Sequence, residues 1–402
     1  MRRRRWRDCI PQGEYEALAQ EFQPAADWAG RLAQRAVDAG ARYMVLTARH
    51  HDGYCLFDTR THDFNAVRTG PGRDLVAEFV QACRAAGLGI GLYYSVHTWR
   101  WRGFWDPQGC PEDLPAMVAE MHTQVEELMT GYGAIDLLWY DGPAVPGSWV
   151  PGHFVPATTR IDQEPAAFYR SAALNARVRK LQPQILINDR SGLPEDFGTP
   201  EQHVRADEAG RPWEACMTTN YAPGWGYLPG AMANKTPGTV LWHLVDAVRQ
   251  GGNFLFNVGP RGDGSVDDRE GHILDALGDW LRRHGEAIHG TRPGRIYAGS
   301  PGQGPCFHYG MFTGSGARVF LTLFYYPGTE LIISRLQPGI RSARIHGSDV
   351  PLQVEAIRNR CWRISGLPER SPDPLATVLE IVFEDVPGPI GLSDASWLDG
   401  AW

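Results

Sequence analysis

The chain has 402 residues, of which 43% are hydrophobic and 21% charged, and a formal net charge of −7. These are ordinary globular values, and the length predicts two domains or one large barrel with an appended domain. The acidic balance gives no electrostatic basis for binding nucleic acid or an anionic membrane, and no apolar run is long enough to span a bilayer.

The N-terminal sequence and the cysteines indicate where in the cell the protein is expected. The arginines at positions 2–5 resemble the start of a signal peptide, but Trp6, Arg7 and Asp8 follow where an apolar segment would be required, so we expect no signal peptide. The seven cysteines are odd in number, widely spaced and form no C-x-x-C pair. This argues against a disulfide framework and a structural zinc site, and it favours a cytoplasmic location.

The first hundred residues alternate between helical and strand patterns. Residues 13–40 have apolar residues at helical spacing, and residues 43–47 form a continuous apolar run typical of a buried parallel strand. That run ends at His50 and His51. A helix over 73–86 and a strand over 90–94 follow, and the next segment is an aromatic loop with Trp99, Trp101, Phe104 and Trp105.

The stretch from Asp136 to Gly142 carries the strongest local signal. It follows a predicted helix over about 111–129. An apolar run leads to Asp141, and Gly142 then ends the strand. In a strand, Leu137, Trp139 and Asp141 share one face. A carboxylate at the carboxyl end of a buried strand lies where α/β barrels have their catalytic residues. The alternative is an aspartate that only caps the next turn.

The alternation continues to about residue 284. We expect helices near 164–181, 237–250 and 268–284, and strands at 185–187, 212–219 and 253–258. Strands that alternate with helices predict a parallel α/β architecture. A (β/α)8-like barrel is favoured over an open doubly wound sheet, because the sequence has neither a G-x-G-x-x-G helix start nor a phosphate loop.

Beyond residue 294 the pattern becomes β-rich, with glycine and proline between short apolar segments. We therefore predict a barrel domain over 1–294, a small β-sandwich over 295–387 and a tail over 388–402.

Two groups of residues are candidates for ligand binding or catalysis. Adjacent histidines point to opposite sides of an extended chain, so His50 and His51 are not expected to share a metal; they are either structural or bind a polar ligand. Glycoside hydrolysis needs two carboxylates, and Asp141 is the first candidate. Chemistry alone leaves the second role open among Glu201, Glu195, Glu208 and Glu214.

Several motifs then resemble those of the α-L-fucosidases of glycoside hydrolase family 29. They occur in family order over roughly residues 6–290, and together they are highly specific. The matching stretches are 43–53 (YMVLTARHHDG), 91–95 (GLYYS), 138–142 (LWYDG), 188–190 (NDR), 196–201 (DFGTPE), 213–214 (WE), 225–227 (WGY) and 251–260 (GGNFLFNVGP).

The resemblance implies an imperfect (β/α)8-like barrel with a C-terminal β-sandwich. It implies retaining hydrolysis of terminal α-L-fucosides on glycans, without metal or cofactor; a homo-oligomer is left open. Asp141 matches the nucleophile position and Glu201 the acid/base position. His50, His51, Tyr93 and Arg190 match sugar-binding positions. Trp225 matches the aromatic residue that packs against the fucose methyl, and Trp139 is a further candidate contact.

One departure concerns the start of the chain. Family members usually begin with a strand that carries a Phe-Gly-Ile-Phe-x-His-Trp-Gly type motif, whereas this sequence starts after it and has Arg5 where a glutamate is expected before Trp6. We therefore expect the 402 residues alone to lack the first barrel strand, to aggregate and to have little activity. The alternatives are a weakly active or inactive fucose-binding relative, and a related glycosidase for another sugar.

Overall fold

The computed structural model describes residues 10–148, 160–207, 210–221, 224–229, 234–292, 309–334, 336–358 and 361–389. Its contacts divide the chain into two compact units. The first comprises Met1–Thr199, Ala222–Met232 and Val258–Gly271, and the second Pro200–Tyr221, Ala233–Asn257 and His272–Trp402. The domain boundaries near 294 and 387 remain predictions, because residues 293–308 and 390–402 lie outside the described part, as do Arg5, Trp6 and the rest of 1–9.

The first unit contains a four-stranded parallel sheet in the order β1-β2-β3-β4. Its strands are β1 (Tyr43–Arg49), β2 (Gly89–Ser95), β3 (Leu137–Asp141) and β4 (Leu186–Ile187). The helices Leu75–Ala86, Asp113–Gly131 and Ser171–Leu181 lie between consecutive strands in the sequence. Leu92, Leu138 and Ile187 are fully buried, as expected for parallel strands covered on both faces.

Local chemistry sets the ends of these helices. Helix Leu75–Ala86 begins after Asp74, whose side chain accepts a hydrogen bond from the backbone N–H of Ala77. It ends at Gly87 in the left-handed conformation, with φ of 70°. An N-cap carboxylate and a C-terminal glycine satisfy backbone groups that the helix leaves unpaired, and the predicted bounds of 73–86 are confirmed to within two residues.

Two predicted helices are interrupted. The segment 13–40 forms Gln12–Ala17, a 3-10 turn at Leu18–Glu21 and a helix at Trp28–Asp38. Pro24 lies in the gap, and proline disfavours helical conformation in the residue before it. The segment 164–181 divides into Pro165–Phe168 and Ser171–Leu181, because Arg170 adopts a left-handed φ of 52°.

The aromatic loop after β2 contains a short helix at Arg102–Trp105. Phe104 on this helix is fully buried. The loop is therefore part of the hydrophobic core of the first unit.

The second unit contains a parallel pair of strands, β5 (Glu214–Thr218) and β6 (Asn253–Asn257). Helix Pro237–Arg249 lies between them in the sequence and begins after Thr236, whose hydroxyl accepts a hydrogen bond from the N–H of Thr239. Proline at the first helical position suits this start, because its missing N–H would have no helical partner. A further helix covers Asp268–His284, as predicted.

The C-terminal part of the second unit is a seven-stranded antiparallel sheet in the order β7-β8-β14-β11-β12-β13-β9. Leu321 on β8 and Ile333 on β9 belong to one buried cluster although their strands are far apart in this order, so the sheet curls around its own core. The strands are β7 (Gly310–Ser315), β8 (Arg318–Leu323), β9 (Glu330–Ser334), β11 (Ile340–Ile345), β12 (Pro351–Arg358), β13 (Cys361–Ser365) and β14 (Thr377–Phe383), with β10 (Leu336–Gln337) and β15 (Gly388–Pro389) as a separate pair.

Two observations concern the cysteines and the apolar character of the described residues. The five cysteines within the described ranges are all free thiols. None of the helices in those ranges combines the length and apolar character needed to cross a bilayer.

The two-residue strand β4 is extended by a side chain, which leads to a stability prediction. Asn188 is fully buried; its Oδ1 accepts from the N–H of Tyr140 at 2.8 Å, and its Nδ2 donates to the Tyr140 carbonyl at 2.9 Å. Asn188→Ala would leave both backbone groups of Tyr140 without these partners. We expect the free energy of unfolding, measured by urea denaturation, to fall by about 2–5 kcal/mol.

The matched control for Asn188→Ala is Leu186→Ala on the same strand, where the side chain is 52% exposed. We expect this change to alter the free energy of unfolding by less than about 0.5 kcal/mol. Equal effects of the two substitutions would contradict the role assigned to Asn188.

A second prediction concerns acid stability. His97 is only 2% exposed, and burial lowers its pKa to about 4 from 6.5. Between these values the unfolded histidine binds a proton that the folded one does not, so the contribution of His97 to the free energy of unfolding falls as the pH is lowered from 6.5 to 4 and is constant above this window. At pH 4 the titration of His97 lowers the free energy of unfolding by at most about 3 kcal/mol.

Urea denaturation across pH 4–8 tests this prediction with His97→Asn, whose side-chain amide still offers a hydrogen-bond donor. The slope of stability against pH should flatten but persist, because burial also lowers the pKa of His62 to about 3. A wild-type slope in His97→Asn would show that His97 is not a source of the acid sensitivity.

Candidate active site

Side chains from all four strands of the parallel sheet meet at its carboxyl edge. His50 and His51 follow β1, Tyr93 lies near the end of β2, and Asp141 ends β3. Arg190 lies in a 3-10 turn, Asp189–Ser191, immediately after β4. These residues come together because the carboxyl ends of parallel strands lie on one side of the sheet.

The Asp141 carboxylate is the centre of this group. Tyr93 donates its hydroxyl hydrogen to Oδ2 at 2.5 Å, and Arg190 Nη1 donates to Oδ1 at 2.8 Å. His51 Nε2 lies 3.7 Å from Oδ2. The side chain of Asp141 is 18% exposed, so the carboxylate is bound by donors on both oxygens and still faces solvent.

Arg190 is held by more than its ion pair. Its Nε and Nη2 donate to the hydroxyl and carbonyl oxygens of Thr199, and the Thr199 hydroxyl donates to Asp189. Its guanidinium carbon lies 4.7 Å from the centre of the Trp139 ring. Arginine suits this position because its planar group can form several hydrogen bonds while stacking on an aromatic face.

An aromatic wall lines the site. The rings of His50 and Tyr93 are nearly parallel, with centroids 5.6 Å apart, and Tyr93 also stacks on Trp139 at 5.6 Å. Trp139 and Asp141 are two residues apart on β3, and Tyr93 contacts both. The prediction that these two β3 residues share a face is therefore consistent with the structure.

The expectation that His50 and His51 point apart is wrong. Their ring centroids are 3.9 Å apart. The strand ends at Arg49, and His51 already lies in a turn, so the alternation of an extended chain no longer applies at these positions.

His50, His51 and Asp141 could in principle hold a metal ion, because each offers a ligand atom within 4.8 Å of the others. However, the charge of Asp141 is already paired with Arg190, and its second oxygen accepts from Tyr93. A divalent cation would have to bind beside a guanidinium. The arrangement therefore suits a ligand with hydroxyl groups better than a metal.

Gly142 ends β3 in a conformation that few other residues could adopt. Its φ is 67°, and a Cβ atom there would lie 2.5 Å from Cε1 of His97 and 2.9 Å from Cε1 of His51. Glycine is required both for the positive φ and for this close approach. The two imidazoles can therefore pack directly against the backbone that follows Asp141.

Sequence reasoning did not identify Ser95 and His97, which belong to this group. Ser95 Oγ lies 2.6 Å from His51 Nδ1, and His97 Nδ1 lies 2.6 Å from the carbonyl oxygen of Gly142. A signal was present for Ser95, since residues two apart on a strand share a face and Tyr93 was already a candidate. No pattern in the sequence distinguished His97 from an ordinary loop residue.

The candidates for a second carboxylate have different surroundings. Glu201 is exposed and lies in the second unit, where its backbone bridges to Cys216 on β5. Glu214 is buried in β5. Both oxygens of Glu195 are bound, one by Arg179 and one by Asn175, at 2.7 Å each, and Glu208 lies outside the described residues.

Trp225 lies in the described segment 224–229 and is half-buried. Its assignment to the sugar site, like the individual roles of the other candidate residues, stays a prediction.

Comparisons with known proteins identify the family. The family model for alpha-L-fucosidase matches residues 2–286. The alpha-L-fucosidase of Dictyostelium discoideum is 28% identical over 289 residues, which make up 68% of this chain and 57% of that protein. The chain thus spans little more than half the length of this curated relative.

Solved structures extend the likeness to nearly the whole chain. Alpha-L-fucosidase isoenzyme 1 from Paenibacillus thiaminolyticus is 28% identical with a TM-score of 0.80, and the match covers 94% of this chain and 93% of that one. The Thermotoga maritima alpha-fucosidase in complex with a mechanism-based inhibitor is 30% identical with a TM-score of 0.73, covering 92% and 82%.

The structural matches confirm the predicted fold class, an imperfect (β/α)8-like barrel followed by a C-terminal β-sandwich. The family model covers well over half of the chain. The chain belongs to the alpha-L-fucosidase family of glycoside hydrolases.

Proposed function

We propose that this protein is a retaining exo-α-L-fucosidase that releases terminal α-L-fucosyl residues from oligosaccharides or glycoconjugates. The observation that carries the proposal is the Asp141 carboxylate at the end of β3, bound by Tyr93 and Arg190 yet open to solvent. A carboxylate at this place on a barrel is suited to attack a sugar. Family membership supports the same reaction.

In the first step, an oxygen of Asp141 attacks the anomeric carbon of the fucosyl residue. The bond from that carbon to the leaving oxygen breaks, and Glu201 gives its proton to the leaving oxygen. The products are the free aglycone and a fucosyl ester of Asp141. Tyr93 and Arg190 hold the attacking carboxylate in one orientation through hydrogen bonds to different oxygens.

In the second step, water attacks the same anomeric carbon. Glu201, now a carboxylate, takes a proton from this water, and the bond between the sugar and Asp141 breaks. Two inversions give fucose with retained configuration and restore both carboxyl groups. The exposure of Glu201 is consistent with a group that must exchange protons with water and with varied aglycones.

The remaining candidates bind the sugar. His50, His51 and Arg190 supply polar groups for its hydroxyls, and Trp139 provides an apolar wall. Fucose is a 6-deoxy sugar with one apolar corner, and Trp225 is proposed to cover the C6 methyl. A pocket of this kind combines a few placed polar groups with aromatic surface, as is usual for small ligands.

The partner of the enzyme is therefore an α-L-fucosylated glycan. A cytoplasmic location remains a prediction from the cysteine content and the N-terminal sequence.

The first test concerns the nucleophile. Asp141→Gly should reduce kcat on an aryl α-L-fucoside by several orders of magnitude, because the covalent step is lost. A slow fluorinated fucosyl donor should label Asp141, as read by peptide mass mapping of the intact enzyme. Asp38→Asn, at an exposed helix position, is the control and should retain full activity. A label on another carboxylate would overturn the assignment.

The second test concerns the acid/base. Glu201→Ala should lower kcat/KM far more for fucosides with poor leaving groups than for activated aryl fucosides, because only the former need a proton on departure. Added azide should partly restore the aryl reaction by replacing the base-assisted water. Glu195→Ala is the matched control, since its carboxylate is bound by Arg179 and Asn175. The same signature in Glu208→Ala or Glu214→Ala, but not in Glu201→Ala, would refute the choice.

A further inference from the structure

The segment Ser95–Trp99, which begins at the last residue of β2, is bonded to both sides of the candidate site. Toward β3, the Val96 N–H donates to the carbonyl of Asp141 at 2.8 Å, and His97 Nδ1 donates to the carbonyl of Gly142 at 2.6 Å. Toward the histidine pair, the Trp99 N–H donates to the carbonyl of His51 at 2.7 Å. The segment therefore fixes the backbone of Asp141 and that of His51 relative to each other.

The fourth contact of this segment determines which nitrogen of His51 carries a proton. The Ser95 hydroxyl lies 2.8 Å from the His97 carbonyl oxygen and 2.6 Å from His51 Nδ1. A carbonyl only accepts hydrogen bonds, so the single hydroxyl hydrogen of Ser95 is used in that contact. Ser95 can then only accept from His51, and the hydrogen in the second contact belongs to His51 Nδ1.

The other nitrogen of His51 consequently carries a lone pair whenever the ring is neutral. This atom, Nε2, lies 3.7 Å from Asp141 Oδ2, which is too far for a hydrogen bond. Tyr93 and Arg190 both present donors to the carboxylate. His51 Nε2 thus differs from its neighbours, because it can accept a hydrogen bond from a ligand hydroxyl.

We propose that Ser95 is a positioning residue, which holds His51 in the Nδ1–H tautomer so that Nε2 accepts a hydrogen bond from a hydroxyl of the bound sugar. This inference rests on the proposed function for the identity of the ligand. The tautomer itself is a property of the unliganded protein and can be measured without turnover.

The opposite tautomer would act against the proposed chemistry. A hydrogen on Nε2 would point toward Asp141 Oδ2, which already accepts from Tyr93. A further donor would stabilise the carboxylate before attack more than during attack, when its charge is being lost. The Ser95 contact therefore keeps a hydrogen on His51 from adding to the donors Tyr93 and Arg190 on the nucleophile.

The ring of His97 packs against His51 and supports this arrangement. Its ring lies 4.1 Å from that of His51 and stacks on Phe104 at 4.8 Å. Because a carbonyl accepts from its Nδ1, the bare nitrogen of neutral His97 is Nε2, which has no hydrogen-bond partner among the described residues. Burial lowers the pKa of His97 to about 4, so at neutral pH the His97 ring that packs on His51 is uncharged.

Two-bond ¹H–¹⁵N correlation spectra of the full chain with ¹⁵N-labelled histidine test the assignment, because a bare ring nitrogen and an N–H resonate far apart. The His51 signals are identified by their loss in His51→Gln. In the wild type we expect a protonated Nδ1 and a bare Nε2. Ser95→Ala should shift the tautomer toward Nε2–H, whereas Ser95→Thr, which keeps the hydroxyl, should preserve it.

The matched control is Thr98→Ala, which removes another buried hydroxyl of the same segment. Thr98 Oγ1 accepts from the Arg100 N–H at 3.4 Å, so its loss should leave the His51 tautomer unchanged. Should Ser95→Ala not fold, the wild-type spectrum still decides, because an Nε2–H tautomer there would overturn the proposal. An unchanged tautomer in folded Ser95→Ala would overturn it as well.

Titration with L-fucose tests the acceptor role separately. In the wild type, saturation should shift the His51 Nε2 resonance, and in Ser95→Ala the dissociation constant should rise by about tenfold, as expected for one lost hydrogen bond. If L-fucose binds and His51 Nε2 does not respond, the acceptor role is wrong. If L-fucose does not bind and no fucoside is hydrolysed while the tautomer is as assigned, the proposed function fails and the tautomer assignment stands.

Discussion

The ion pair between Asp141 and Arg190 is the interaction on which the candidate site depends. The two side chains are similarly shielded, at 18% and 17% exposure. A largely buried carboxylate without its partner would be an uncompensated charge, which costs several times more than an exposed pair contributes. Arg190 is itself held by Thr199 and stacked on Trp139. The position of the carboxylate is thus tied to β4 and to the segment at 199, as well as to its own strand.

The register of the parallel sheet brings the residues that make these contacts together in one site. Thr47 on β1 pairs with Tyr93 on β2, and Tyr93 pairs with Trp139 on β3. This places the three strand ends at the same level, so that groups from β1, β2 and β3 reach the Asp141 carboxylate. A shift of one residue would turn Tyr93 to the other face of the sheet. The apolar residues that bury the strands on both faces therefore also determine the geometry of the polar site.

Much of this could be predicted from the sequence because the signals are local. Asp141, His50, Tyr93 and Arg190 each lie in or directly after a short apolar run, and such runs are readable as parallel strands. The β-rich character of the chain beyond residue 294 was likewise readable from its short apolar segments separated by glycine and proline. Motif resemblance added the family, which residue spacing alone could not provide.

What the sequence did not predict depends on contacts between distant residues or on single backbone angles. The left-handed φ of Arg170 divides a predicted helix without a glycine or proline to mark the break. The closeness of His50 and His51 follows from the turn after Arg49, which a strand pattern cannot foresee. Ser95 acquires its role only because the carbonyl of His97 lies within reach of its hydroxyl.

Arg49 shows how such contacts are supported from within the core. This guanidinium is only 1% exposed, and its Nη1 donates to the carbonyl of Ser95 at 2.6 Å and weakly to that of His97 at 3.3 Å. Its Nη2 reaches Glu120 on helix Asp113–Gly131 at 3.4 Å. A buried pair of this kind is weak evidence for stability, because desolvation offsets most of the attraction.

The main contribution of Arg49 is that it holds the backbone of Ser95 and His97 in position. A neutral apolar side chain could fill the same volume, but it could not bond the carbonyls of Ser95 and His97. The segment that presents the Ser95 hydroxyl to His51 and the His97 ring to Gly142 is therefore bound on one side by the candidate site and on the other by a buried cation. The site retains its geometry because the hydrogen bonds from the buried Arg49 hold this segment from behind, while the contacts with His51, Asp141 and Gly142 hold it in front.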